Sequence, residues 1–255
     1  MKVKMIVSLI CVVMLSMLII GCSNFAGKLV KISPDKNDDY NWSYYLYIPS
    51  SVKKGVNTHL LVRPNNTGKV DDDIKVHDKG AKGKIKGMKD WAEELGTPVL
   101  IPVFPRYNNK DLIYTYTHAL DRDCLTTYVE EIKRVDLQLV AMIDDARERL
   151  KKKELEVDKK ILMCGFSASG MFTNRFVVLH PDRVEAATIG SPGGWPILPI
   201  DEWKGQRLNY PVGVGDLKEL TGEEFDLETY KKVPQYFFIG DQDTNDSVPY
   251  SDSYD

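Results

Sequence analysis

Apolar residues fall into two rhythms along this chain, short dense runs and longer stretches that repeat every three to four positions. Lys28–Ser33 and Trp42–Ile48 are β-branched and aromatic runs bounded by polar turns, which predicts an antiparallel hairpin turning over Asp35–Asp39. Thr58–Arg63 predicts a third strand, closed by the turn cluster Pro64-Asn65-Asn66-Thr67-Gly68. Asp71–Lys84 is rich in lysine, aspartate and glycine and reads as a solvated loop. Ile85, Met88, Trp91, Ala92 and Leu95 then recur at helical spacing up to Gly96. Pro98–Phe104 has almost no polar residue, as expected for a strand buried on both faces of a parallel sheet. An irregular segment, Pro105–Leu125, carries Arg106, Tyr107, Tyr114, Tyr116, His118, Asp121 and Arg122, and reads as substrate-facing or structural. A long helix is predicted from Thr127 to Lys152, with Ile132, Val135, Leu139, Ile143, Ala146 and Leu150 as its apolar stripe. Lys159–Cys164 predicts a strand, and Phe172, Phe176 and Leu179 a helix that stops before Pro181. Val184–Ile189 and Gln235–Ile239 predict two more strands, separated by a loop-rich insertion. Strands alternating with amphipathic helices imply βαβ units, a mostly parallel sheet with helices on both faces, and right-handed crossovers. With no internal repeat or low-complexity linker, residues 28–255 read as one α/β domain.

Charge sets the first residues apart. Lys2 and Lys4 precede an apolar run from Met5 to Ile20, followed by Gly21-Cys22, the layout of a secretory signal peptide. At about 16 residues the run is short for a membrane span, which needs roughly 20. A cysteine directly after a small residue resembles the lipobox of bacterial lipoproteins. That resemblance implies a signal peptide over 1–21, lipidation at Cys22, a tether over 22–27 and anchoring to the extracytoplasmic face of the cell membrane. Loss of the two lysines takes the formal charge from −3 to −3 − 2 = −5. Acidic and basic residues are interspersed, without the clustered basic face that nucleic-acid binding needs. Cys124 and Cys164 would then be the remaining thiols, too few for a disulfide framework. Cys164 lies in an apolar run and reads as a small buried hydrophobe. No Cys/His spacing suggests a metal site, and no motif implies a cofactor.

The stretch most suggestive of chemistry is Gly165-Phe166-Ser167-Ala168-Ser169-Gly170, between the predicted strand and the predicted helix. This is the context of a G-x-S-x-G nucleophile elbow, with Ser169 in place of the second glycine and Gly170 one position later. The plainer reading is a Gly/Ser-rich loop between strand and helix. A serine hydroxyl needs a general base to become a nucleophile, and helix N-terminal amides could face a developing oxyanion. Gly240-Asp241-Gln242-Asp243 ends the last predicted strand, at the sheet edge where open α/β folds gather functional groups.

From about Thr58 to the last residue, the order of parts resembles the α/β-hydrolase fold, on its serine esterase and polyester-depolymerase-like branch. The motifs that carry the resemblance are Gly165–Gly170 and Gly240–Asp243 with Val248-Pro249 after it. The resemblance implies Ser167 as nucleophile and the Ala168 N–H as first oxyanion donor. It takes the second donor from the loop after the third strand, here Asn65-Asn66, which plain turn chemistry explains equally well. It implies Asp243 as the triad acid, in competition with Asp241 and Asp246, and hydrolysis of a small-molecule or polymeric carboxylic ester through an acyl-serine. Asp241–Asp246 also alternates oxygen ligands, but it lacks the glycine and terminal glutamate of a calcium loop. The triad histidine should follow Asp243 by some tens of residues, and the sequence given stops at Asp255. His180 reads as a helix cap on the surface, His59 as a strand residue, His77 as part of the charged loop, and His118 as a pocket-lining residue. The expectation is thus a lipid-anchored hydrolase whose last strand, last helix and base are missing, which would leave its seventh strand as an unpaired edge. The competing expectation is a non-catalytic surface-anchored binding lipoprotein or a hydrolase remnant.

Overall fold

A computed structural model describes residues 27–34, 37–112, 114–193 and 196–244; the expected signal peptide, Cys22 and Asp246 lie outside these residues. In chain order the elements are β1 (Lys28–Ile32), β2 (Tyr44–Ile48), β3 (Leu61–Val62), α1 (Ile74–Gly87), α2 (Lys89–Leu95) and β4 (Val99–Pro102). There follow α3 (Asp123–Thr126), α4 (Val135–Lys151), β5 (Ile161–Phe166), α5 (Ala168–Leu179) and β6 (Val184–Gly190). The last part holds a small ribbon of β7 (Glu202–Trp203) and β8 (Gln206–Arg207), then α6 (Leu217–Thr221), α7 (Leu227–Tyr230) and β9 (Gln235–Phe238).

Seven strands form one sheet in the order β1-β2-β4-β3-β5-β6-β9. β2 runs antiparallel to both β1 and β4, and every pairing from β4 to β9 is parallel. The expected α/β class and mostly parallel sheet are therefore present. Alternating residues of β2 and β4 divide between two cores. Tyr44, Leu46 and Leu100 pack with Val62, Met163 and the apolar sides of α4 and α5 on one face. Tyr45, Tyr47, Val99 and Ile101 pack with Leu61, Ala81, Ile85 and Ala92 under α1 and α2 on the other. Each large side chain buried this way contributes about 1.5–3 kcal/mol. Among the described residues β9 pairs with β6 alone, and Tyr236, Phe238 and Ile239 are exposed at 66, 42 and 61%. No helix among the described residues is long and apolar enough to cross a membrane.

Four local expectations are corrected. Residues 74–84 are the first three turns of α1, not a loop: Asp73 caps the helix by accepting from the Lys75 N–H, and His77, Ala81 and Ile85 are buried on one side. The lysines and glycines between them dilute the apolar signal without removing the geometry. The helix is also interrupted at Met88, and the reorientation leaves Trp91 and Leu95 each 60% exposed, with only Ala92 of α2 buried. α4 begins at Val135 because Arg134, at φ 48°, breaks the run. The carbonyls before it serve the β2 hairpin instead: Trp42 Nε1 donates to Glu131 O at 2.6 Å and Asn41 Nδ2 to Glu130 O at 3.2 Å. Finally, β3 is two residues long and His59 precedes it, with Nδ1 3.1 Å from Lys160 O.

Candidate active site

β5 ends at Phe166, α5 begins at Ala168, and Ser167 makes the whole turn between them. Its φ of 59° and ψ of −131° lie on the left-handed side of backbone space, a conformation that costs a non-glycine residue on the order of 1–3 kcal/mol. Two main-chain bonds hold it there: Ser167 N–H donates to Gly190 O at 2.9 Å, and Ser167 O accepts from Met171 N–H at 3.0 Å. Its neighbours must be small. A Cβ on Gly165 would stand 2.0 Å from Ser169 O, and one on Gly170 would stand 2.6 Å from Gly190 O. The close approach of α5 to β6 thus depends on Gly170. Ser169, 1% exposed, secures the strand end instead, its Oγ accepting from Phe166 N–H at 3.0 Å and donating to Phe166 O at 2.8 Å. A glycine there would leave both main-chain groups of Phe166 without that partner.

The turn lifts Ser167 to the surface, where its Oγ makes no hydrogen bond among the described residues. The Ala168 N–H, first in α5, likewise has no acceptor among them. β3 is the parallel neighbour of β5, with Val62 opposite Met163, so the loop that holds Asn65 and Asn66 follows β3 on the side of the sheet where β5 ends. The side chains of both expected asparagines are engaged. Asn65, 1% exposed, donates from Nδ2 to Phe104 O at 2.8 Å and accepts at Oδ1 from Phe104 N–H at 3.1 Å. Asn66 Oδ1 accepts from Gly68 N–H at 3.0 Å and closes the turn. What remains for an oxyanion is the main-chain N–H of these residues, which has no acceptor among the described residues.

Phe166 pairs with Gly190 and Gly190 with Phe238, so β5, β6 and β9 end at the same sheet edge. The Gly240–Asp243 turn, closed by Asp243 N–H to Gly240 O at 3.0 Å, emerges two strand spacings from Ser167, about 10 Å in the plane of the sheet. Asp241 and Asp243 are both exposed.

No histidine among the described residues hydrogen-bonds Ser167. His77 belongs to α1 and is fully buried, with Nε2 3.0 Å from Asp71 O. His118 is fully buried too; Nε2 lies 2.8 Å from Phe104 O, Nδ1 has no partner, and burial pushes the imidazole down to about 3. It is neutral across the working range and a poor proton acceptor. His180 does cap α5, but half-buried rather than at the surface, with Nε2 2.9 Å from Asp136 Oδ2 at the far end of the helix from Ser167. Cys124 is buried and Cys164 half-buried, both free. Among the described residues no group of three or more His, Cys, Asp or Glu is placed to hold a metal ion.

The irregular segment after β4 packs directly on the elbow. Tyr116 lies against Ala119, Ala168 and Met171, and the Arg106 guanidinium sits 3.6 Å from the centre of the Tyr116 ring. Arg175 of α5 donates to Ala119 O at 3.0 Å, Tyr210 hydroxyl donates to Leu120 O, and Arg122 pairs with Asp216. Asp121 accepts from the N–H groups of Tyr116 at 2.7 Å and Cys124 at 3.1 Å, and burial pushes its carboxyl up to about 6. In sequence, the arginine and tyrosines of this segment were visible, but not which of them meets Ala168.

No family model and no curated protein matches the sequence. Solved structures do match. Poly(aspartic acid) hydrolase-1 from Sphingomonas sp. KT-1 superimposes with a TM-score of 0.57 at 19% identity, over 86% of this chain and 73% of that one. LpqC, a poly(3-hydroxybutyrate) depolymerase from Bordetella parapertussis, gives a TM-score of 0.52 at 17% identity, over 85% of this chain and 66% of that one. The chain therefore spans between two thirds and three quarters of the length of these structures, and its fold is that of the α/β-hydrolases.

Proposed function

We propose that this chain is a serine hydrolase that cleaves carboxylic esters through an acyl-Ser167 intermediate. The observation that carries the reading is Ser167 itself: a lone residue at positive φ between a buried strand and a buried helix, hydroxyl outward. Once a base takes its proton, Oγ adds to the ester carbonyl. The oxyanion so formed is met by the Ala168 N–H at the α5 terminus and by a main-chain N–H of Asn65 or Asn66. Collapse expels the alcohol, and water then releases the acid by the same route. Asp243 is assigned the carboxylate that orients the base imidazole and stabilises its charged form. None of the described histidines hydrogen-bonds Ser167, so the base is left unassigned. One similar structure is named a depolymerase of poly(3-hydroxybutyrate), a polyester, which supports a polymeric ester as substrate; the other is named a hydrolase of poly(aspartic acid), whose backbone is an amide.

The test is labelling of the purified chain with a fluorophosphonate, with and without added imidazole as surrogate base, followed by mapping of the adduct. Modification of Ser167 that imidazole accelerates is expected. An adduct elsewhere, or one that survives Ser167→Ala, would overturn the assignment. No adduct under either condition would select a second reading, a binding protein without turnover.

We also propose attachment to the outer face of the cell membrane through a lipid on Cys22, resting on the lipobox-like Ile19-Ile20-Gly21-Cys22. Cys22→Ala should abolish acyl incorporation and release the protein from the membrane fraction. Unchanged fractionation would reject it.

A further inference from the structure

Arg106 is half-buried and placed as a ligand-reading residue. Its guanidinium lies 3.6 Å from the centre of the Tyr116 ring, and Tyr116 packs on the cluster of Ala119, Ala168 and Met171, which includes the neighbour of Ser167. The cation is thus one aromatic ring away from the elbow. It forms no ion pair among the described residues, and its Nε is buried without a hydrogen-bond partner. A buried donor on a charged group is costly to leave unmet.

The carboxylates of Asp71, Asp72 and Asp121 are held by main-chain N–H groups rather than by Arg106. Asp71 Oδ1 accepts from Asp73 N–H, Asp72 Oδ1 from Asn108 and Asn109 N–H, and Asp121 from Tyr116 and Cys124 N–H. Two more cations share the neighbourhood without ion pairs among the described residues. Arg63 also keeps a buried, unpartnered Nε, and Lys84 is half-buried, its ammonium destabilised by burial and by Arg63. The backbone at Arg106 is fixed on both sides, its N–H donating to His77 Nε2 at 3.2 Å and its carbonyl accepting from Asp71 N–H at 2.9 Å. The main chain of the site is therefore preorganised, and Arg106 has no ion-pair partner among the described residues.

We infer that Arg106, seated on Tyr116 near the elbow, selects ester substrates that carry a carboxylate. The inference rests on Ser167 being the nucleophile, since only then does the substrate sit at the elbow beside Tyr116. The planar guanidinium can hold a carboxylate through two parallel N–H···O bonds, which a neutral ester group cannot match.

Binding keeps the test independent of turnover. Monomethyl succinate, a monoanion, and dimethyl succinate, its neutral counterpart, are titrated into the purified full chain and into Ser167→Ala, with affinities read by chemical-shift changes. The monoanion is expected to bind about tenfold tighter in both proteins, and less so at high salt. Arg106→Gln should abolish the preference while leaving the neutral ester's affinity unchanged. Arg106→Lys, which keeps charge and packing, should lose most of the preference because an ammonium lacks the fork. Equal affinity for the two esters in the unmodified chain, or a preference untouched in Arg106→Lys, overturns the inference. If Ser167 takes no fluorophosphonate and the charge preference still vanishes with Arg106, the anion site stands and the nucleophile assignment falls.

Discussion

Ser167 and Ser169 stand two positions apart and act in opposite directions. Ser167 stores strain, since φ 59° suits glycine better than any residue with a Cβ. Ser167→Gly should therefore be more stable than Ser167→Ala by about 1 kcal/mol, while neither can accept an acyl group; urea denaturation of the two variants checks the order. Ser169 relieves strain by satisfying the N–H and carbonyl of Phe166 at the mouth of the turn. Ser169→Ala should cost about 1–3 kcal/mol by leaving those groups unmet, measured the same way, and should slow labelling of Ser167 because the turn loosens. Against the G-x-S-x-G pattern, this position is simply an imperfect match. The sequence could offer a small residue, whereas the hydrogen bonds showed why a hydroxyl belongs there.

Between elements, contact distance decides what a substitution does. α5 touches β6 through Gly170, where a methyl group would meet Gly190 O at 2.6 Å. Both are backbone-fixed, so neither can swing aside. Gly170→Ala should destabilise by about 1–3 kcal/mol through overpacking and shift Ser167 with the helix, visible as a lower melting temperature and a lower labelling rate together. α1 shows the converse, an element hidden by its composition. Its cap, Asp73, is the strongest local signal in the stretch, and Asp73→Ala should cost about 1 kcal/mol, read from the denaturation midpoint. β4 and β5 were easier to read because their near-continuous apolar runs demand burial on two faces. The start of α4 was not legible: Ile132 keeps helical spacing and is fully buried, yet the carbonyls around it are claimed by Asn41 and Trp42, some ninety positions away in sequence.

Across the whole molecule, one buried ionic cluster ties the start of α4 to the end of α5. Asp136, fully buried, accepts from Arg134 at 2.8 Å and lies 2.9 Å from His180 Nε2. Burial would raise its carboxyl, but the hydrogen bonds from His180 and Arg134 outweigh that and hold it down at about 2. A folded value below the unfolded one, about 3.9, means this stabilisation is present above pH 4 and is lost as the pH falls toward 2. Asp136→Asn should cost about 3–5 kcal/mol at pH 7 and flatten the acid limb of the stability profile between pH 4 and 2; an unchanged limb would show that other carboxylates govern acid unfolding. The sequence by itself determined the α/β class, the strand–turn–helix at Ser167 and the strand end that carries Asp243. Those features follow from hydrophobic period and turn chemistry, which act between near neighbours in the chain. Tertiary structure decided the rest: that Asn65 and Asn66 spend their side chains on Phe104 and Gly68, that His180 serves Asp136, and that Arg106 and Tyr116 come to rest beside Ala168. Except for the Asn66–Gly68 turn, which is local, those partnerships join residues that only the packing of separate elements brings together, and no local pattern encodes them.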